Sequence, residues 1–150
     1  MSNNYLKEKC GQENYKKLEK LANDKLMKFA AKYAELFNPD SIFVRTDSRE
    51  DAERIRKKTL ENKEERPLVI EGHTAHFDGY FDQGRDKGST RYLLRPDEVL
   101  GSDIMSVDRE KGIEEIHKLF ENAMKGKEMY ICFYCLGPTN SKFSISAVQI

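Results

Sequence analysis

A glycine-bounded stretch holds the side chain best suited to bind an anion. Residues 84–91 read Gly-Arg-Asp-Lys-Gly-Ser-Thr-Arg, with Arg85 directly after the first glycine. Glycine lets the backbone approach a ligand closely, and a guanidinium matches a carboxylate or phosphate with two parallel hydrogen bonds, which an ammonium does not. Composition alone leaves two readings open, a solvated loop and an anion site centred on Arg85.

Three further residues upstream have the types that bind metal ions. His73, His76 and Asp78 lie within six positions of one another. On an extended segment His76 and Asp78 share a face and His73 opposes them, which leaves two ligands where a zinc site needs at least three. The spacing therefore favours a hydrogen-bonded segment over a metal site.

The pair Cys132 and Cys135 has the spacing of a zinc knuckle or a redox motif. Both kinds of site need two thiols on one side of the backbone, whereas strand residues three apart point to opposite faces. We therefore expect both to be buried apolar residues without a metal or disulfide. The odd total of three cysteines favours a reducing cytoplasm.

The glycines at 79 and 84 have the spacing of a nucleotide phosphate loop. That motif continues with Lys and then Ser or Thr, which reach the phosphates and the magnesium ion. Here Arg85 and Asp86 occupy those positions. We reject the stretch as a nucleotide loop.

Helical and strand patterns alternate along the chain. Asn38-Pro39 should end the first helix, and Ser48 and Asp108 should cap the next two. The predicted elements are a frayed polar tail at 1–11, helices at 12–37, 49–62 and 109–124, and strands at 41–44, 68–70, 91–94, 129–136 and 143–150. This order predicts an α/β domain, with α+β as an alternative, in which helices flank a mixed sheet.

Length and charge narrow the class of protein. The chain has 150 residues, enough for one domain with a core, and its 26 basic and 26 acidic residues cancel. Net charge therefore gives no argument that the protein binds nucleic acid or an anionic membrane. No apolar run approaches ~20 residues, so we predict no membrane span. Because the last strand ends on Ile150 without a polar tail, we expect a domain over 12–150 that is incomplete at its C-terminal end.

Three pieces of the sequence resemble the N-terminal part of GTP-dependent phosphoenolpyruvate carboxykinase in its archaeal-like form. They begin at Phe43, Gly72 and Met124, and the third is the most specific. The pieces read FVRTDSREDAERIRKKTLENKEE, GHTAHFDGYFDQGRDKGSTRYLL and MKGKEMYICFYCLGPTNSKFSISAVQI. The likeness is colinear over roughly 36–150.

The resemblance implies an enzyme of gluconeogenesis that converts oxaloacetate and GTP to phosphoenolpyruvate, GDP and carbon dioxide with manganese or magnesium. It implies that Arg85, with Arg91 as a weaker alternative, holds the substrate carboxylate. The family's phosphate loop, metal ligands and guanine pocket lie beyond the matched region, so we expect this portion alone to bind neither GTP nor metal well and to be inactive. The alternative is a non-catalytic interaction module whose exposed strands pair with another chain.

Overall fold

The computed structural model describes residues 2–79 and 90–150 of the chain. They form a mixed α and β structure, which confirms the predicted combination of helices and sheet. The chain divides into two compact units, Met1–Ala52 with Leu119–Ile150, and Glu53–Lys118. Arg85 and the rest of 80–89 lie outside the described residues.

The described residues hold four helices and seven strands. In chain order these are α1 (Ser2–Glu19), α2 (Asp24–Phe37), β1 (Ser41–Val44), α3 (Arg49–Glu61), β2 (Arg66–Pro67), β3 (Thr74–Ala75), β4 (Tyr92–Leu94), β5 (Ser106–Asp108), α4 (Arg109–Phe120), β6 (Glu128–Leu136) and β7 (Ile145–Gln149).

The start of the chain differs from the frayed tail expected for 1–11. α1 begins at Ser2 and kinks at Gly11, whose φ of 66° favours glycine. Leu6 is fully buried and Cys10 is 5% exposed. Burial raises the pKa of the Cys10 thiol to about 12. Leu6 and Cys10 lie in the core and Tyr5 packs against it, a pattern too sparse to stand out in a polar sequence.

The single helix expected over 12–37 is two helices. Ala22 has a φ of 45°, and Asn23 caps α2 by accepting a hydrogen bond from the Leu26 backbone N–H at 3.1 Å. At the other end Asn38 adopts the left-handed conformation and its backbone N–H donates to the Ala34 carbonyl. The predicted stop before Pro39 is therefore confirmed, whereas the break at the start of α2 was missed.

A three-stranded sheet in the order β1-β6-β7 forms the centre of the first unit. β1 pairs with β6 in parallel, with Val44 opposite Ile131, and β6 pairs antiparallel with β7, with Phe133 opposite Val148. The strands predicted at 41–44, 129–136 and 143–150 are confirmed with shifts of a few residues at their ends.

α1 and α2 cover one face of this sheet. Every second residue of β1 and β6 joins the core, as expected for strands with one buried face. Among the fully or nearly fully buried apolar side chains are Leu6, Leu18, Ala30, Ala31, Ala34, Ile42, Val44, Met129 and Ile131. On the opposite face Phe43 packs edge-on against Tyr130, with ring centroids 5.9 Å apart.

The second unit contains two small sheets. β2 pairs antiparallel with β3, and β4 pairs in parallel with β5. The strand predicted at 68–70 is wrong, because Leu68 and Ile70 are at least half exposed and Val69 is fully exposed. The apolar triplet at 68–70 is typical of a short strand in sequence, but in the structure its side chains face water.

The capping predictions for α3 and α4 are confirmed. Ser48 Oγ accepts from the Asp51 backbone N–H at 3.1 Å, and Asp108 Oδ1 accepts from the Lys111 N–H at 3.0 Å. α4 ends at Phe120, four residues earlier than expected. None of the helices described is long and apolar enough to cross a membrane.

Candidate functional site

A largely buried ion pair anchors the turn that follows β1. Lys17 Nζ lies 3.0 Å from Asp51 Oδ1 and 3.1 Å from Asp51 Oδ2, and it also donates to the Val44 carbonyl at 3.1 Å. The side chains are 18% and 12% exposed. Because every proton of the ammonium has an acceptor, Lys17 joins α1 both to the end of β1 and to the first turn of α3.

Asp51 accepts hydrogen bonds from the turn itself. Its Oδ2 receives the Thr46 hydroxyl at 2.6 Å and the Thr46 backbone N–H at 2.8 Å. Desolvation acts to raise the pKa of Asp51, but the hydrogen bonds from Thr46 and Lys17 outweigh it and hold the pKa below its usual value. The carboxylate therefore stays ionised and fixes the turn at 45–47.

A groove opens where the parallel strands β1 and β6 end. This groove, here named the β1-exit groove, has a volume of about 330 Å³ and is lined by Lys17, Leu21, Val44, Arg45, Thr46, Asp47 and Phe133. In sheets with parallel strands, ligands bind outside the carboxyl ends of the strands. The volume lies at the lower end of the ~300–1,000 Å³ of small-molecule sites.

The positive charge of Arg45 influences the ionisation of Tyr134, which follows the groove residue Phe133 in sequence. The pKa of Tyr134 is raised mainly by the charge of Cys132, and further by partial burial and a hydrogen bond with Cys132, while the positive charge of Arg45 acts to lower it. The phenol is therefore protonated and can donate a hydrogen bond near neutral pH.

A second, larger groove lies beside the first. Its volume is about 580 Å³, and it is lined by Leu21, Asn23, Lys25, Leu26, Phe29, Phe133, Tyr134, Ser146, Ala147 and Val148. Leu21 and Phe133 line both grooves. We name this one the α2–β7 groove, and its apolar lining suits an apolar side chain or ring.

The principal residue predicted from sequence is not placed. Arg85 lies outside the described residues, as does most of the stretch from 79 to 86 that was rejected as a phosphate loop. Arg91, the weaker alternative, is exposed and directly precedes β4. The substrate-binding role of either residue stays a prediction.

His76 and Asp78 do come together, as their shared face predicted. His76 Nε2 lies 3.4 Å from Asp78 Oδ1, and His76 Nδ1 lies 2.6 Å from the Glu64 carbonyl oxygen. Among the residues that the structure describes, no group of three His, Cys, Asp or Glu side chains is placed to hold a metal ion.

The cysteine prediction is partly wrong. Cys132 is half-buried, but Cys135 is exposed near the end of β6, where burial along the strand decreases. Both thiols are free. A continuous apolar run in the sequence did not show that only the first half of β6 is covered by helices.

Sequence reasoning missed Lys17, Asp51 and Arg45. Lys17 and Asp51 are 34 positions apart, and each resembles the many other charged residues of a helix surface. A signal for Arg45 did exist, because the residues following a buried strand of a parallel pair lie at the ligand-binding edge of the sheet.

The sequence is similar to phosphoenolpyruvate carboxykinases over nearly its whole length. The family model for the phosphoenolpyruvate carboxykinase N-terminal domain matches residues 28–150. The GTP-dependent phosphoenolpyruvate carboxykinase of Thermococcus sibiricus is 47% identical over 97% of this chain and 23% of its own length. The enzymes of the same name from Pyrococcus abyssi and Sulfurisphaera tokodaii are each 44% identical, over 97% and 98% of this chain. The chain spans about a quarter of the length of these curated relatives.

Proposed function

This chain belongs to the phosphoenolpyruvate carboxykinase N-terminal domain family, and we propose that it is the N-terminal, substrate-binding portion of a GTP-dependent phosphoenolpyruvate carboxykinase. The reaction would convert oxaloacetate and GTP to phosphoenolpyruvate, GDP and carbon dioxide, in the cytoplasm and in the direction of gluconeogenesis. The observation that carries the proposal is 47% identity over 97% of the chain to a curated enzyme of that name.

Within that enzyme we assign Arg85 to a carboxylate of oxaloacetate or phosphoenolpyruvate. Flanking glycines at 84 and 88 would let the loop approach the substrate. The guanidinium keeps its charge at any working pH and can hold a carboxylate with two hydrogen bonds. Arg85 would orient the substrate, and it would not take part in proton or phosphoryl transfer.

GTP and a divalent cation, manganese or magnesium, would act in the complete enzyme. When bound, the cation would neutralise charge between the reacting phosphate oxygens. The described residues of this chain offer no group of three metal-ligating side chains. We therefore assign the metal and nucleotide sites to the three quarters of the relatives that this chain does not span, and we expect no turnover from residues 1–150 alone.

A chimeric enzyme tests the proposal. Residues 1–150 would replace the matching quarter of the Thermococcus sibiricus carboxykinase, and oxaloacetate-dependent GTP consumption would be measured with manganese present. We expect turnover within about tenfold of the parent enzyme. A folded chimera without turnover would contradict the proposal.

Two controls make the result specific. The Thermococcus sibiricus enzyme without its matching quarter, and this chain by itself, should each show no GTP consumption above a heat-inactivated sample. If the chain alone consumed GTP in an oxaloacetate-dependent manner, our assignment of the nucleotide site to the remaining three quarters would be wrong.

A second candidate function is a non-catalytic interaction module. β7 lies at the edge of its sheet; its first residue, Ile145, is 64% exposed, and Phe143 just before it is 94% exposed. Unpaired strand edges with apolar neighbours favour pairing with another chain. Sedimentation of 1–150 that shows a stable dimer, together with an inactive chimera, would favour this second function.

A further inference from the structure

The two outer strands of the β1-β6-β7 sheet differ in how their outer edges are covered. Within the described residues β1 pairs only with β6. On its other side the Val44 backbone N–H donates to Asn14 Oδ1 at 3.0 Å, and the Val44 carbonyl accepts from Lys17 Nζ at 3.1 Å. Side chains of α1 thus satisfy the outward backbone groups of β1 at Val44, and a further strand cannot add there without breaking both hydrogen bonds.

The register of the sheet shows which backbone groups of β7 point outward. The Ile131 carbonyl accepts the backbone N–H of the residue after β1 at 2.9 Å, so Ile131 and every second residue of β6 direct their backbone groups to β1. The alternate residues of β6, among them Tyr134, direct theirs to β7. Because Tyr134 lies opposite Ala147, Ala147 bonds to β6. Its neighbours Ser146 and Val148 therefore direct their N–H and carbonyl groups away from the sheet.

β7 lacks the residue types that normally protect an edge strand. Residues 143–150, which contain β7, include neither a charged residue nor a proline, whereas natural proteins protect exposed strand edges with charges and prolines. Ser146 is exposed, and in the described part of the chain β7 pairs with β6 alone. The composition of β7 is therefore that of an internal strand in a wider sheet.

The α2–β7 groove lies directly beside this edge. Ser146 and Val148 line it from β7, Phe29 lines it from α2, and Phe133 lines it from β6. Its volume of about 580 Å³ has room for apolar side chains of an added strand, every second one of which would point to this face of the sheet. A free strand edge beside an apolar groove is the arrangement by which proteins bind an extended segment as an additional strand.

A second copy of β7 does not suit this groove. The side chains on the groove side of β7 are those of Ser146, Val148 and Ile150, and the last two already pack against the core of their own chain. A paired second copy would therefore bring no large apolar side chain to the groove. The Thermococcus sibiricus carboxykinase offers another source of a strand, because this chain spans only 23% of its length.

We propose that an extended segment from the remaining three quarters of the carboxykinase adds to the outer edge of β7 as a fourth strand. Its backbone would bond to the outward N–H and carbonyl groups of Ser146 and Val148, and its apolar side chains would lie in the α2–β7 groove. The inference rests on the proposed function, because that function defines the partner. It goes further in assigning the contact to β7 and excluding the edge of β1 at Val44.

The test compares amide hydrogen exchange in residues 1–150 alone and in the chimeric enzyme, by mass spectrometry with fragmentation that resolves single amides. The amides of Ser146 and Val148 should exchange about a hundredfold more slowly in the chimera, because the added strand accepts their hydrogen bonds. The Val44 amide, which is bonded to Asn14, is the matched control and should exchange alike in both.

Exchange and turnover are measured separately, so the two proposals can fail separately. A chimera that turns over while Ser146 and Val148 exchange as in the chain alone would overturn the strand addition and leave the proposed function intact. Protection of both amides in an inactive chimera would support the strand addition and contradict the proposed function. Protection in residues 1–150 alone that increases with protein concentration would show that a second copy covers the edge, and would overturn the inference.

A substitution at the edge distinguishes strand addition from other coverage. Ser146→Pro removes an outward N–H and leaves the bonds between β6 and β7 in place. In the chimera this variant should return the Val148 amide to its exchange rate in the chain alone, while the Ala147 amide stays protected and verifies that β7 is still paired. Ser146→Ala keeps the N–H and should behave as the wild type. Protection of Val148 that persists in Ser146→Pro would overturn the proposal.

Discussion

Lys17 Nζ lies 3.0 Å from Asp51 Oδ1, so an ion pair joins two residues that are 34 positions apart in the sequence. The same carboxylate accepts both the backbone N–H and the hydroxyl of Thr46. One side chain thus connects α1, the turn after β1 and the start of α3. The conformation of the β1-exit groove depends on this connection.

Asp51→Asn should lower the free energy of unfolding by about 2–3 kcal/mol, because hydrogen bonds to a charged group are lost and the ammonium of Lys17 is left without its counter-charge. Denaturant unfolding measures the change. Glu50→Gln, which alters an exposed acid in the same helical turn, should change stability by less than about 0.5 kcal/mol. Equal effects of the two substitutions would show that the ion pair adds no stability.

The same pair predicts a dependence on pH. Because the folded-state pKa of Asp51 lies below its unfolded value, its contribution is complete above the unfolded pKa of ~3.9 and is lost as the pH falls through the folded pKa. The stability difference between wild type and Asp51→Asn should therefore be constant near neutral pH and shrink below about pH 4. A difference that grew on acidification would contradict the lowered pKa.

Leu6→Ala should cost about 2–5 kcal/mol of stability, because a fully buried leucine leaves a cavity in the core beneath α1. Glu8→Ala, on the exposed side of the same helix, serves as the control and should have little effect. Thermal or denaturant unfolding distinguishes them. A loss below about 0.5 kcal/mol for Leu6→Ala would support the frayed tail that the sequence suggested.

Local chemistry explains which parts of the fold could be predicted. Ser48 and Asp108 satisfy backbone N–H groups within three residues, and Asn38 before Pro39 ends a helix by its own conformational preference. Each of these signals acts over a single turn. They were read correctly because no distant residue competes with them.

Burial by elements that are distant in sequence explains which parts of the fold could not be predicted. Whether Leu6 or Leu68 is covered depends on what packs against it, and the sequence pattern around each gave the wrong answer. The Lys17–Asp51 pair depends on how α1 packs against β1, which no local pattern encodes. Arg85, in contrast, was selected by resemblance and residue chemistry, and its role stays a prediction.

Gly137→Ala should destabilise the turn between β6 and β7 by about 1–2 kcal/mol. Gly137 has a φ of 111°, and a Cβ added there would lie 2.9 Å from Ser144 Oγ. Gly101→Ala is the matched control, since Gly101 has no positive φ and open space around it, and it should be neutral or stabilise slightly. Denaturant midpoints of the two variants give the comparison, and equal midpoints would show that the turn is not restricted to glycine.

Arg85→Ala in the chimeric enzyme should lower kcat/KM for oxaloacetate about ten- to a hundredfold, because hydrogen bonds to a charged group contribute ~1.5–3 kcal/mol. Arg85→Lys should restore only part of that, since the ammonium keeps the charge and loses the fork. The KM for GTP should hardly change, because we assign the nucleotide site to another part of the enzyme.

Arg91→Ala tests the alternative position, and Arg95→Ala controls for the loss of any exposed arginine. Oxaloacetate kinetics that are unchanged in Arg85→Ala but impaired in Arg91→Ala would move the carboxylate contact to Arg91, and unchanged kinetics in both would leave Arg85 an ordinary loop residue.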